Sequence, residues 1–231
     1  MKRKQIVVLS GSGLSAESGL PTFRDAAGLW RTHSWMELAS PEGWRKHPEV
    51  VLEFYNERRA KAWAAEPNTA HRAIAALESK YDVVVVTQNV DALHERAGST
   101  RVLHVHGELA FARGTGPSRR RYRIDAAPIA LGQKCGEGTQ LRPDIVWFGE
   151  ETQHMDDARE HVARADKVLV VGTSLTVYPA ASLVDAARER AEKALNALEM
   201  EDVPYGFESH PGPATAVVPR IVERWLRDAA V

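Results

Sequence analysis

"KQIVVLSGSGLSAESGLPTFRD", residues 4–25, runs from an apolar segment through closely spaced glycines into a stretch of hydroxyls, a proline, a phenylalanine and an arginine. The apolar run Ile6–Leu9 has the brevity and β-branching of a buried strand. Gly11 and Gly13 fit an ordinary tight turn. They equally fit a doubly wound fold, in which the turn after the first strand lets the backbone and the following helix N-terminus approach a phosphate. The two glycines alone do not choose between these readings, so the residues after them and the rest of the chain have to decide.

The chain has 231 residues and 44% hydrophobic content, enough for one sizeable core with a smaller appended module. Its formal net charge of −1 provides no global field to recruit nucleic acid or an anionic membrane. "SRRRYR" (118–123) is a local basic patch and reads as a solvated loop. The single cysteine, Cys135, excludes an intrachain disulfide framework and a four-cysteine zinc site. "MKRKQIVVLS" has the charged start of a signal peptide, but its apolar run is short and ends at serine and glycine, so a first strand is expected. No stretch approaches the roughly 18–20 apolar residues of a membrane span. The expectation is a soluble, cytoplasmic protein.

Strands are expected at 6–9, 81–88, 101–107 and 167–172, and helices at 67–80, 155–165, 180–195 and 214–230, with Pro219 breaking or restarting the last. Near-continuous Val/Leu strands alternating with helices imply an α/β fold, a doubly wound Rossmann-like parallel sheet covered on both faces. Residues 28–66, including the helical "EVVLEFYNERRAKAWAA" (49–65), and the polar, glycine-rich 108–140 interrupt that alternation. They read as two insertions forming a smaller lobe within a single catalytic domain spanning 1–231. The Rossmann-like lobe then comprises about 1–27, 67–107 and 141–231, and a ligand is expected in the crevice at the strands' carboxyl ends.

Polar residues gather where those strands end. "VVVV" runs into "TQNVD" (87–91), whose Gln88, Asn89 and Asp91 suit a carboxamide and sugar hydroxyls, or simply an Asx-type turn capping the next helix. "VLVVG" runs into "TSL" (173–175), a second hydroxyl-rich turn. In "LHVHGEL" (103–109), His104 and His106 are two apart and share a side if extended. Either is equally at home as a structural histidine, but His106 borders the expected crevice, and imidazole suits proton transfer near neutral pH.

Taken together, "GSGLSAESGLPTFRD" (11–25), "TQNVDALHERAG" (87–98), "HVHGEL" (104–109), "LRPDIVWFGE" (141–150), "VGTSLTVYPAA" (171–181) and "GPATAVVP" (212–219) resemble the sirtuin family, NAD-dependent protein-lysine deacylases. They stand in the family's order and span nearly the whole chain, with Ser12 in place of the usual alanine of Gly-Ala-Gly. The resemblance implies NAD as cofactor and acyl-lysine proteins or peptides as substrates. It places Gly11, Ser12 and Gly13 on the diphosphate, and "PTFR", with Thr22, Phe23 and Arg24, in a loop closing over the nicotinamide ribose. It gives Gln88 to the ribose, and Asn89 and Asp91 to the nicotinamide carboxamide and ribose. Gly172, Thr173 and Ser174 fall to phosphates and ribose, with Asn196, Glu199 and Ala214 toward the adenosine end. "LNALE" carries one residue more between Asn196 and Glu199 than the family's Asn-x-Glu, and "EKALNALE" lacks the β-branched strand expected there. His106 is implied as the general base that follows attack of the acyl oxygen on C1′ and loss of nicotinamide. "IVWFG" (145–149), locally an apolar strand, is implied to pair with the substrate backbone through Val146, Trp147, Phe148 and Gly149, opposite the loop at Val177–Tyr178.

Tyr55 and Arg58 stand at i, i+3 and hence on one helix face. With Ala39 they match the sirtuins that remove succinyl, malonyl or glutaryl groups, where arginine and tyrosine bind the distal carboxylate. Without the resemblance, Arg58 reads as a solvated helix charge. The insert at 112–140 holds only Cys135 and no histidine, so the resemblance is to the zinc-less branch of the family and no zinc is expected. Arginine salt bridges and an apolar seam through Ile129 and Leu131 are expected to hold the small lobe instead. Protein ADP-ribosyl transfer and a noncatalytic ADP-ribose-binding module stay open beside the deacylase reading. An NAD(P) oxidoreductase fits less well, because Ala16 stands at the third glycine of GxGxxG. Oligomeric state is not legible.

Overall fold

The computed structural model describes residues 3–22, 34–199 and 202–229. In chain order the elements are β1 (Gln5–Ser10), α1 (Ser12–Ala16), α2 (Trp35–Leu38), α3 (Pro41–Lys46), α4 (Pro48–Ala64), α5 (Thr69–Ala76), β2 (Asp82–Thr87), α6 (Leu93–Ala97), β3 (Val102–His104), β4 (Gly107–Gly114), β5 (Arg121–Arg123), β6 (Leu141–Ile145), α7 (Met155–Arg164), β7 (Lys167–Val171), β8 (Glu192–Asn196), β9 (Glu208–Ser209) and α8 (Ala214–Asp228). Six strands form one sheet in the order β3-β2-β1-β7-β8-β9, every pair parallel. The chain builds outward from β1 through β2 and β3, then returns to β7 on the other side of β1. The crevice expected of such a reversal lies at the carboxyl ends of β1 and β7.

Both faces of this sheet are covered, which is why its strands are nearly continuous in valine. Ile6, Val8, Val83 and Val85 meet Ala70 and Ile74 of α5 and Val218, Ile221, Val222 and Trp225 of α8. Val7, Leu9, Val84 and Val86 alternate to the opposite face and meet Ala158 and Val162 of α7. Among the described residues no helix is long and apolar enough to cross a membrane.

Several expectations need correction. The helix expected over 180–195 is a 3-10 turn at Ala180–Ala186 followed by strand β8. Ala194 and Leu195 are 1% exposed there, and two-sided burial beside β7 overrides the helix preference of Ala, Leu, Glu and Lys. The strand expected over 101–107 pairs with β2 only through Val102–His104. Gly107, at φ +81°, begins β4, and a Cβ there would meet the Asp144 carbonyl at 2.1 Å. The segment 145–149 is not a strand: β6 ends at Ile145, the Val146 N–H donates to the His106 carbonyl and the Phe148 N–H to that of Ala39. Pro219 neither breaks nor restarts α8, which runs unbroken. The Thr215 carbonyl that lost a donor at Pro219 accepts instead from Thr69 Oγ1 at 3.0 Å.

β5, β4 and β6 form a second, antiparallel sheet against α4. Its apolar seam comprises Leu52, Ala112, Ile129, Cys135 and Leu141, whereas Leu131, expected there, is 58% exposed. Charges do the rest. Arg121 bridges Glu108 and the buried Asp144, Arg113 bridges Asp144 and Glu150, and Arg142 grips both oxygens of Glu150 at 2.6 and 3.0 Å. Asp144 is 1% exposed, and its removal leaves Arg121 with Glu108 alone and Arg113 with Glu150 alone at a low-dielectric edge. Breaking a fully buried pair costs about 3–5 kcal/mol, and here Arg121 keeps a third of its side chain in water. Asp144→Ala is expected to cost about 2–3 kcal/mol, read as a Tm lower by roughly 5–10 °C.

Candidate functional site

The β1–α1 turn and the end of β7 touch through main chain. The Gly11 N–H donates to Val171 O at 3.0 Å and the Gly13 N–H to Gly172 O at 2.8 Å. A Cβ on Gly11 or Gly13 would stand 2.7 or 2.9 Å from the Gly172 carbonyl oxygen, so both positions exclude a side chain. Gly172 itself adopts φ +63°, and its N–H donates to Asn196 O. The resulting wall of the crevice is peptide backbone flanked by the hydroxyls of Ser12, Thr173 and Ser174, a surface suited to phosphate and sugar oxygens. Thr173 Oγ1 accepts from Gln88 Nε2 at 3.1 Å across the gap, and the exposed Ser174 hydroxyl meets that of Thr176.

Opposite this wall the end of β2 presents Asn89 and Asp91, 4% and 8% exposed. Asn89 Nδ2 donates to Gly11 O at 3.1 Å and to Ser15 Oγ at 3.0 Å. The Ser15 hydroxyl in turn donates to Asp91 Oδ2, while Asp91 Oδ1 accepts the Leu93 N–H at the start of α6. Burial raises the Asp91 carboxyl, against the bonds from Leu93 and Ser15 that favour its charge. Beneath this pair, His94 Nε2 meets Ser10 Oγ at 2.9 Å. The Ser10 hydroxyl donates to Thr87 Oγ1, which also accepts the Asn89 N–H. Burial keeps His94 neutral.

His106 is half-buried, with Nδ1 3.2 Å from the Gln88 carbonyl. A carbonyl can only accept, so Nδ1 carries the hydrogen and Nε2 the lone pair. Burial lowers the His106 pKa below 6.5, and the bond to Gln88 offsets this only partly. The ring is therefore neutral at pH 7 and poised to take a proton at Nε2.

A cavity of about 120 Å³ is lined by Ser12, Ser15, Leu20, Pro21, Phe54, Arg58, Lys61, Asn89 and Asp91, among others. Arg58 enters it from α4, its guanidinium over the rings of Phe54 and Tyr55 at 5.5 and 5.6 Å. Burial lowers the Arg58 pKa, against the Tyr55 and Asp91 sides that favour its charge. Ala39 and Tyr55 are not on that lining; they are buried behind it with Leu38, Val51 and Trp147.

Val146 is half-buried, Trp147 2% exposed, and Phe148 and Gly149 exposed. The Arg142 guanidinium lies 3.2 Å over the Trp147 ring, and Glu150 Oε2 accepts the Trp147 N–H. Burial opposes the charge on Glu150, but Arg142, the Trp147 N–H and Arg113 together hold its carboxyl below the usual range. Val177 is half-buried and Tyr178 73% exposed. Asn196 is buried, with Nδ2 donating to the carbonyls of His210 and Gly212; Glu199 is exposed, and Ala214 opens α8. The Thr22 hydroxyl is buried with no hydrogen-bond partner among the described residues. Phe23 and Arg24 lie outside the described residues.

Ser15, Lys61, Arg142 and Glu150 are not among the residues expected at the site. "RPDIVWFGE" offered a signal for the last two, a basic and an acidic residue bracketing an apolar turn.

Residues 11–179 match the Sir2 family. An NAD-dependent protein deacylase of Helicobacter pylori (strain ATCC 700392 / 26695) is 47% identical over 226 residues, covering 95% of this chain and 98% of that protein. A solved Sir2 homologue variant in complex with ADP-ribose superposes with a TM-score of 0.90 at 38% identity, covering 99% of this chain and 94% of that one. A Sir2 homologue–NAD complex superposes at 0.86 and 38% identity, with 98% and 91% covered.

Proposed function

Because the chain belongs to the Sir2, or sirtuin, family and is an NAD-dependent protein deacylase, we propose that NAD occupies the crevice at the carboxyl ends of β1, β2 and β7. The acyl-lysine of a protein substrate enters beside it, between Val146–Gly149 and the loop at Val177. The observation that carries this reading is the convergence of Ser12, Asn89, Asp91 and Arg58 on one cavity.

NAD supplies a ribose whose C1′ becomes electrophilic as nicotinamide departs. The residues here position and deprotonate. Gly11, Ser12, Gly13, Gly172, Thr173 and Ser174 hold the diphosphate and its ribose against main chain, where no side chain intrudes. Asn89 and Asp91 orient the nicotinamide carboxamide, and Gln88, anchored on Thr173, faces the ribose. The Thr22 hydroxyl, without a partner among the described residues, is available to polar cofactor atoms, and Phe23 and Arg24 follow it in sequence with the roles given above. At the adenosine end Asn196 staples the wall through His210 and Gly212, and Glu199 and Ala214 flank it. His106, fixed on the Gln88 carbonyl, takes a ribose hydroxyl proton at Nε2.

The acyl groups favoured are those ending in a carboxylate. Arg58 puts a guanidinium on the cavity, whose paired N–H donors suit a carboxylate, beside Lys61, which pairs with Glu57 of the same lining. Tyr55 stands behind Arg58, and Ala39 is buried in the same cluster. No zinc is expected in the small sheet, where Cys135 Sγ pairs with Thr139 Oγ1 beside an apolar seam and the arginine–carboxylate network ties β4, β5 and β6.

His106→Ala is expected to lower deacylation by about 10²–10⁴-fold while NAD affinity changes little, measured by peptide turnover and calorimetry. In the wild type, kcat/KM falls as pH drops through a value under 6.5, because a base with a lowered pKa stays unprotonated to lower pH. Arg58→Met should cost about 10²-fold in kcat/KM on a succinyl-lysine peptide and leave acetyl-lysine within a few-fold. Elemental analysis of the purified chain should find less than stoichiometric zinc, and a chelator should leave Tm unchanged.

A further inference from the structure

The parallel pairing of β3 with β2 ends at Thr87 opposite His104, yet the two chains stay tied beyond it. The Val105 N–H donates to Thr87 O at 3.0 Å, His106 Nδ1 to Gln88 O at 3.2 Å, and His104 Nδ1 to Asn89 O at 2.9 Å. Two histidines two residues apart thus hold consecutive carbonyls of the turn that carries Gln88, Asn89 and Asp91.

Their surroundings differ. His104 is 4% exposed, and its Nε2 lies 2.7 Å from Glu95 Oε1 and 4.0 Å from Glu108 Oε2. Both ring nitrogens face acceptors, a carbonyl and a carboxylate, so both carry hydrogen and the ring is an imidazolium. Burial works against that charge, but Glu95 first and Glu108 next outweigh it and raise the pKa above 6.5. The charged or titratable groups facing His104 are Glu95 and His94 from α6, Glu108 from β4 and Asp91 from the turn, with Arg121 of β5 drawing on Glu108. Asn89 is otherwise held by neutral bonds alone, through its N–H on Thr87 and its amide on Gly11 and Ser15.

We propose that His104, paired with Glu95, is a positioning residue for the deacylase reaction, fixing the Asn89 carbonyl and with it the turn that presents Asn89 and Asp91 to the nicotinamide. The inference rests on the role given above to Asn89. A structural ion pair alone would stabilise the fold without touching the first chemical step.

The test compares His104→Ala, His104→Gln and Glu95→Gln in the full chain. It follows exchange of labelled nicotinamide into NAD with an acyl-lysine peptide present, deacylation, KM for NAD, Tm, and the pH dependence of each rate from 6 to 9. Exchange reports cleavage and reformation of the nicotinamide–ribose bond, before the base acts. His104→Ala is expected to lower exchange and deacylation together, by about 10²-fold, the scale of a misplaced reacting group. His104→Gln, which keeps one N–H for the carbonyl, should recover part of both. Glu95→Gln keeps an acceptor but removes the charge. Without the Glu95 charge, His104 loses its proton, and its charge-assisted hold on the Asn89 carbonyl weakens, at lower pH than in the wild type, so exchange should fall off at lower pH. The proposal is overturned if these variants lower Tm but leave exchange, KM for NAD and the pH profile unchanged. It is equally overturned if His104→Ala fails to fold and Glu95→Gln shows the wild-type profile. Asn89→Ala run in parallel separates the premise from the inference. Full exchange in that variant removes the role of Asn89 itself, while lost exchange there with intact exchange in the His104 variants removes only His104.

Discussion

Between the end of β1 and the end of β7 there is no room for a side chain. The contact is peptide on peptide, with Gly11 and Gly13 on one side and Gly172 on the other, and the Gly11 and Gly13 N–H groups find carbonyls across the junction. From that junction the other polar groups are placed in turn. Gly172 reaches β8 through Asn196, Gln88 reaches Thr173, and Asn89 reaches back to Gly11. Four parallel strand ends are thereby locked to one another by bonds that depend on close approach. A methyl group at Gly11 or Gly13 would push apart the surfaces that form the crevice.

The smaller sheet is organised by a different force. Its seam of Leu52, Ala112, Ile129, Cys135 and Leu141 is small for a three-stranded sheet with one helix behind it. Alternating charges from Glu108 through Arg121, Asp144, Arg113 and Glu150 to Arg142 supply the remaining ties. Such pairs add little over apolar packing when intact, but they are costly to leave half-made, so they enforce one arrangement. The last member reaches furthest. Arg142 lies on the Trp147 ring, and Glu150 caps the turn that follows, so the sheet's charges also set the posture of residues 146–150.

The sequence made the large sheet legible where its strands are valine-rich, because burial on both faces leaves an unmistakable apolar run. It hid β8, "EKALN", because alanine, leucine and lysine are strong helix formers and only the neighbouring layers decide otherwise. Gly107 hid the change of sheet after His104, since one glycine at positive φ reads locally as the end of a strand. At the site, His106, Asn89 and Asp91 stood in motifs and converge, whereas Ser15 and Glu95 did not stand out. A serine inside a helical turn and a glutamate on a short helix carry no periodic signal, and their partners are distant in sequence. Tyr55 and Arg58 share a helix face as spacing required, but spacing could not tell that only Arg58 lines the cavity.

Pro219 sits within α8 with the carbonyl it leaves unmatched taken up by the Thr69 hydroxyl of the neighbouring α5. A ring in mid-helix ordinarily forfeits a hydrogen bond, yet here the count of satisfied groups is preserved. What remains is the restriction that the ring places on the denatured chain, which has fewer conformations to give up when it folds. The residue that looks like a flaw in the last helix therefore favours the native state from the other side of the equilibrium.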